Sequence, residues 1–171
     1  MDIPYFGPAL QTMVRCATCA FRHADTLLTR EEEPARYTLH VTGTDGLRAK
    51  VVRSQSGTVR LPEIGGVLEP GPRSESFLTT GEGLLWRFRD AVRSAMAVEA
   101  EGDGAAVIAR LDAMIAGREP FTIIVEDPTG NSRILHPQTT RETLSKEYAE
   151  GLKRGSFVLD VSELTDLSDE D

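Results

Sequence analysis

The sequence predicts a mainly β protein with a helical insertion, an antiparallel barrel or sandwich interrupted midway by a helical hairpin. Three observations carry that prediction. Short stretches on both sides of the chain's middle alternate apolar and polar residues at period two, as a half-buried strand does. At Thr80 the period changes to that of a helix and holds to about Gly117. Loops, and not helices, separate most of the strand-like stretches, so the regular alternation of a parallel βαβ sheet is absent.

Taken in order, the elements have these grounds. ALQTMVR, residues 9–15, reads as a strand leading to a pair of cysteines. In residues 36–42 Tyr37, Leu39 and Val41 face one way and Thr38, His40 and Thr42 the other; TGTDG then turns the chain. Residues 47–54 and 57–64 read as two strands separated near Gly57, with Val59 and Leu61 alternating with Thr58 and Arg60. Residues 65–75, rich in Gly and Pro, read as a long loop, and SFLTT as a short strand leaving it. A helix follows with Leu84, Leu85, Phe88, Val92, Ala95 and Met96 on one stripe, its start capped by Thr79 or Thr80. After GDG at 102–104, a second helix places Val107, Ile108, Leu111, Met114 and Ile115 on its stripe, and Gly117 ends it. Phe121, Ile123 and Val125 alternate in the next strand. DPTG then has the Asp, Pro and Gly positions of a type I turn, making a hairpin or a corner between strands. Thr139 followed by Glu142 has the spacing of a capping box, with Leu144, Tyr148 and Leu152 on one stripe, so a third helix is expected there. A last strand is expected at about 156–161.

Composition narrows the class. Hydrophobic content of 40% and charged content of 27% are those of a soluble globular chain. There is no apolar run long enough to span a membrane and no basic-then-apolar leader, so a cytoplasmic location is expected. The net charge is −8, but six of the 27 acids lie among residues 160–171 with no base between them. The remainder has 21 acids against 19 bases, so the body is nearly neutral and the tail acidic, a solvated end or a contact for a basic partner. That balance argues against general nucleic-acid binding.

The only cysteines, Cys16 and Cys19, have the spacing of one knuckle of a zinc ribbon. A tetrahedral structural site takes four ligands, and one pair supplies half of them. His23, four residues after Cys19, is a candidate third ligand; the other reading is a pair of reduced thiols without metal. Glu126 and Asp127 are adjacent carboxylates with the makings of an acid and a base, but Asp at the first position of a turn ordinarily bonds its own backbone. His23, His40 and His136 are isolated, Ser132 has no nucleophile elbow, and no phosphate-binding or dinucleotide loop occurs. The residues therefore argue for no enzyme.

Five stretches together carry a resemblance: IPYFGPAL, VRCATCAFRHAD, VVRSQSGTVRLPEIGGVLEPG, FLTTGEGLL and PFTIIVEDPTGNSRI. In content and order they resemble the ZPR-type zinc-finger proteins, from about Ile3 to Asp160, and the single-module length is similar to the archaeal members. The resemblance implies a double-stranded β-helix, jelly-roll-like, with an inserted helical hairpin at about 80–117, preceded by an incomplete zinc ribbon. It divides the chain into a partial ribbon (1–30), the β-helix domain (31–160) and an acidic tail (161–171). Family members carry an earlier Cys-x-x-Cys ahead of the IPYFG stretch, and Cys16 and Cys19 match the second pair. A late gene start or a trimmed chain is the favoured account of the missing pair, loss of zinc the other. A zinc shared by two chains through the half-ribbon is a further arrangement.

The resemblance also implies a function without covalent chemistry: a binding protein or folding helper for the translation elongation factor one-alpha GTPase. On that reading Glu126, Asp127, Gly130, Asn131 and Ser132 in the turn, and Thr79, Thr80 and Glu82 at the start of the hairpin, are the candidate partner-binding residues. The alternative for Gly130 and Asn131 is that the corner needs backbone freedom at positive φ. Two rivals come from other classes. One is a metal-dependent enzyme of the double-stranded β-helix class, for which His40 and His136 are the barrel histidines without a carboxylate at short spacing. The other is a nucleic-acid-binding ribbon, whose best basic stretch, Arg48, Lys50, Arg53 and Arg60, has no interleaved aromatic residues.

Overall fold

The structure is a computed structural model that describes residues 2–29, 32–71, 74–98 and 103–154. Strands β1 (Asp2–Ile3), β2 (Gly7–Arg15) and β3 (Arg22–Leu28) form an antiparallel sheet in that order. Arg15 pairs with Arg22, and the Cys16 amide donates to the Phe21 carbonyl at 2.9 Å, so the Cys-x-x-Cys segment closes the β2–β3 hairpin.

The body follows: β4 (Ala35–Val41), a helical turn α1 (Thr44–Leu47), β5 (Lys50–Arg53), β6 (Thr58–Leu61), a 3-10 turn (Pro62–Ile64), β7 (Gly66–Leu68) and β8 (Phe77–Thr80). Helices α2 (Gly81–Val98) and α3 (Gly104–Ile115) interrupt the strands. The chain then continues through β9 (Phe121–Asp127), β10 (Arg133–Leu135), β11 (Thr140–Thr143) and α4 (Lys146–Gly151).

Two antiparallel sheets result, one of five strands in the order β11-β4-β9-β6-β7 and one of three in the order β10-β5-β8. Neighbours such as β4 and β9, or β5 and β10, are far apart in sequence, so strands cross from sheet to sheet as in a jelly roll. Leu39, Val59, Leu61, Ile123 and Val125 from the larger sheet meet Val51 and Ile134 from the smaller in one buried cluster. Full burial of such a side chain is worth about 1.5–3 kcal/mol, and this shared core holds the two sheets together.

The helical hairpin belongs to that core at its base only. Leu84, Leu85 and Phe88 of α2 and Leu111 and Met114 of α3 are buried in the cluster, while Met96 and Val98 farther along α2 are exposed. Arg89 Nε lies 2.6 Å from Asp112 Oδ1 and ties the helices to each other.

Three details differ from the sequence reading. Residues 139–145 are not helical. β11 pairs with β4, Thr140 opposite Thr38, and the helix starts only at Lys146, capped by Ser145, whose hydroxyl accepts from the Tyr148 amide at 3.2 Å. The free edge of β4 decides this: a ladder of backbone hydrogen bonds is open to a threonine-rich segment, and it overrides the local capping-box pattern. Within the expected 65–75 loop, residues 66–68 form β7, because the turn at Gly65 (φ 62) brings the chain back antiparallel to β6. Thr44–Leu47 forms a helical turn, so the strand expected from 47 begins at Lys50. Of the two expectations for DPTG, a hairpin or a corner, the corner is the one found, since β9 and β10 lie in different sheets. The strand expected at about 156–161 lies outside the described residues.

Replacing Ser145 with alanine is expected to cost about 1 kcal/mol and to loosen α4, measured as faster amide exchange at Tyr148.

Candidate functional site

Three places carry the residues singled out from sequence. The first is the cysteine knuckle. Cys19 is exposed and Cys16 partly so. Backbone hydrogen bonds from Cys19 and Thr18 hold the Cys16 thiol below its ordinary range, which favours the thiolate that binds metal. Among the described residues, no three His, Cys, Asp or Glu side chains converge on a metal position. A structural zinc takes four ligands, and Cys16 and Cys19 offer two thiols. His23 lies in β3, its backbone opposite Val14.

The second place is the corner between β9 and β10. Glu126 and Asp127 end β9 side by side, and the strand pleat sends them to opposite environments. Glu126, with its side chain 2% exposed, meets Arg36 Nη2 at 2.6 Å and Arg60 Nε at 2.9 Å. The Tyr148 hydroxyl of α4 donates to it at 2.9 Å, and the Arg36 guanidinium lies 5.2 Å from the Tyr148 ring centre. Burial pushes the Glu126 carboxyl up, but hydrogen bonds from Arg60, Arg36 and Tyr148 outweigh it and hold the group below its usual value.

Asp127 is fully buried and acts as a hub. Its Oδ1 accepts from the Ser56 hydroxyl at 2.8 Å and from both the amide and the hydroxyl of Thr129 at 2.8 Å. Its Oδ2 accepts from the Ser54 hydroxyl at 2.6 Å, the Ser132 amide at 2.7 Å and the Ser132 hydroxyl at 2.6 Å. Burial again pushes this carboxyl up, and the donors Ser132, Ser54, Thr129 and Ser56 more than offset it, so it too lies below its usual value. Next to the hub, the buried Arg53 donates through Nε to the Gly57 carbonyl at 2.7 Å and through Nη2 to the Ser74 hydroxyl at 3.1 Å. Burial pushes the Arg53 guanidinium down while Asp127 pulls it back up.

Gly130 stands at φ 70, and a Cβ there would lie 2.4 Å from the Glu33 carbonyl oxygen. Asn131 is buried and donates to the Thr129 hydroxyl at 3.2 Å. Of the five corner residues expected to meet a partner, all are buried, and the side chains of Glu126, Asp127, Asn131 and Ser132 are engaged inside the fold. What the arrangement does chemically is brace: it ties the turn after β5 and the start of β10 to the end of β9.

The third place is the start of α2. Thr80 accepts from the Gly83 amide at 3.1 Å and so caps the helix. A Cβ on Gly81 would meet the Gly46 carbonyl oxygen at 2.9 Å, so glycine there allows α2 to leave the barrel against α1. Thr79 is partly exposed, and Thr80 and Glu82 point to solvent.

The residues behind the two rival classes are separated. His40 Nδ1 lies 3.0 Å from Thr122 Oγ1, and His136 Nε2 lies 3.1 Å from Asp45 Oδ2. Of the four bases in the best cationic stretch, Lys50 donates to the Tyr5 hydroxyl, Arg53 is buried and Arg60 holds Glu126. Sequence reasoning missed Ser54, Ser56 and Arg36; the only local sign of the first two was a polar Ser-x-Ser where a strand should end.

The match that decides the family is to the ZPR1 jelly-roll domain, over residues 45–153. The chain belongs to the ZPR1 family. This ZPR1-family chain is 35% identical over 165 residues to an uncharacterized ZPR1-like protein of Methanocaldococcus jannaschii, covering 94% of this chain and 83% of that one. It is 32% identical to a ZPR1-like protein of Pyrococcus horikoshii, covering 92% of this chain and 74% of that one. It is also 35% identical over 144 residues to the zinc finger chaperone zpr1 of Schizosaccharomyces pombe, covering 77% of this chain but only 30% of that protein. No helix among the described residues is long and apolar enough to cross a membrane.

Exchanging Gly130 for alanine in this ZPR1 domain is expected to cost about 1–3 kcal/mol, because positive φ and the close Glu33 carbonyl act together. Urea unfolding measures it. An unchanged midpoint would mean that the corner tolerates a side chain.

Proposed function

We propose that this ZPR1-family chain is a cytoplasmic, non-enzymatic binding protein that assists folding of the translation elongation factor one-alpha GTPase. The observation that carries the reading is the set of large apolar side chains exposed on the β2–β3 hairpin: Leu10 (54%) and Val14 (58%) on one face of β2, Met13 (71%) on the other, and Phe21 (56%) at the turn. A soluble chain rarely leaves so many large apolar side chains on one small element unless they meet a partner. A folding intermediate, with its own apolar residues uncovered, is such a partner. The name of the fission-yeast relative, a zinc finger chaperone, supports the same reading.

On this proposal Cys16 and Cys19 would supply two of the four ligands of a structural zinc. Thr80 and Glu82, exposed at the start of α2, make polar contacts with the client beside Thr79. The corner residues Glu126, Asp127, Gly130, Asn131 and Ser132, being buried, act on this reading by bracing the body of the domain and do not themselves touch the client.

The test is refolding of denatured elongation factor one-alpha with GTP present, scored as recovered nucleotide binding. A several-fold higher yield with an equimolar amount of the chain is expected, and a loss of that gain with Met13→Ser and Phe21→Ser together. An unchanged yield, with no co-elution of the two proteins, would sink the proposal.

A further inference from the structure

Cys16 and Cys19 stand at the tip of the β2–β3 hairpin, and the turn that carries them is shaped to hold a metal. The backbone amides of Thr18 and Cys19 donate to the Cys16 sulfur. Such outer hydrogen bonds fix and stabilise a thiolate ligand. Ala20, directly after Cys19, has φ 57. A residue with a side chain seldom adopts that conformation. Here it swings the chain back, so that the Phe21 carbonyl accepts from the Cys16 amide at 2.9 Å. Cys19 is exposed and Cys16 partly so, which leaves the pair open to a metal ion from outside.

The charges around the pair point the same way. Arg15 and Arg22 stand directly opposite each other in the rung next to the turn, and both are exposed. Like charges so placed are destabilising, and an anionic centre at the turn relieves them. Residues 13–24 hold no acid to supply one. A zinc ion with four thiolates is such a centre, since its net charge is negative. Cys16 and Cys19 are the only cysteines in the sequence and bring half of that set. Among the described residues no group of three or more His, Cys, Asp or Glu forms around a metal position.

The hairpin's shape lets a second copy complete the set. Its other end is fastened to the body, where Lys50 of β5 donates to the Tyr5 hydroxyl at 2.9 Å. The nine residues of β2 span about 25 Å between that end and the cysteine turn, so two tips can meet while the bodies stay apart. A second copy brings an identical thiol pair on an identical turn, and a two-fold axis through the metal makes the contact self-complementary.

We propose that Cys16 and Cys19 bind one zinc ion jointly with the same two cysteines of a second copy of this chain, the arginines at the paired tips offsetting the charge of the four thiolates. The proposal rests on the reading of the cysteines as zinc ligands, but not on which client the chain serves. It makes pairing depend on metal: without zinc, the two tips bring only like charges together and repel.

The experiment uses the full 171-residue chain, kept reduced, with and without equimolar zinc chloride, read by native mass spectrometry and analytical ultracentrifugation. One zinc per two chains is expected with the metal, and metal-free monomers after chelation. Cys16→Ser and Cys19→Ser are each expected to stay monomeric at the melting temperature of the metal-free wild type, which shows that the body is folded. Arg15→Glu together with Arg22→Glu keeps both thiols and is expected to weaken the zinc-linked dimer roughly tenfold. Cobalt in place of zinc is expected to give the visible spectrum of a tetrahedral four-thiolate site. One zinc per monomer, a metal-free chain in the presence of zinc, or a dimer that survives chelation or Cys16→Ser would each overturn the proposal. An undiminished dimer in the arginine variant would overturn the charge assignment. A zinc-linked dimer with no gain in elongation-factor refolding would keep the bridge and discard the client, and a gain from metal-free monomers without a zinc-linked dimer would do the reverse.

Discussion

Alanine at Asp127 is expected to destabilise the chain by about 3–5 kcal/mol, among the largest effects of any single change outside the apolar core. Four hydroxyls and the amides of Thr129 and Ser132 would lose a buried acceptor at once. Arg53, also buried, would lose the nearby negative charge. For a chain of this size the loss corresponds to a fall in melting temperature of about 8–15 °C. Asparagine should recover little, since its amide group donates where every neighbour also donates. The same hub fixes the acid limit of stability. Asp127 and Glu126 titrate lower in the folded chain than unfolded, so the unfolded chain takes up protons first as pH drops. Their stabilisation is complete above the ordinary carboxyl range near pH 4 and is lost as pH falls through the lowered folded values. Urea midpoints measured between neutral pH and about pH 3 should decline in the wild type and decline less steeply in Asp127→Asn. Parallel curves would show that Asp127 is not the titrating group.

The second large effect is expected at Leu111. It is 0% exposed and packs under the base of the helical hairpin, so Leu111→Ala should cost about 2–5 kcal/mol. Val98→Ala, on the neighbouring helix but 86% exposed, should stay within about 0.5 kcal/mol. Thermal unfolding of the two variants compares the hairpin's base with its far end. Similar small losses in both would mean that the hairpin is appended to the jelly roll and not built into its core.

How far these features could be read from the sequence follows their range. The strands around 36–42 and 121–127 and both long helices were legible, because a half-buried element writes its period into adjacent residues. Asp127 as the first residue of a turn was legible for the same reason, since its bond to the Thr129 amide spans two residues. Its other partners were not: Ser54 lies 73 residues away and Ser56 71, and no local pattern announces a hydroxyl that will point at a carboxylate so distant. The misread segment 139–145 shows the same limit in reverse. Its local chemistry suits a helix start, and only the edge of β4, about a hundred positions upstream, makes it a strand.

The sequence by itself determined the strands at 36–42 and 121–127, the place of the hairpin, the cysteine pair and the ZPR-type character of the chain. Each of these depends on residues near one another along the backbone. The tertiary structure decided the strand order, the corner at DPTG and the burial of Glu126 and Asp127 in separate networks. Each of these depends on which distant segments share an interior, where a polar group must find its partner in space and not in sequence.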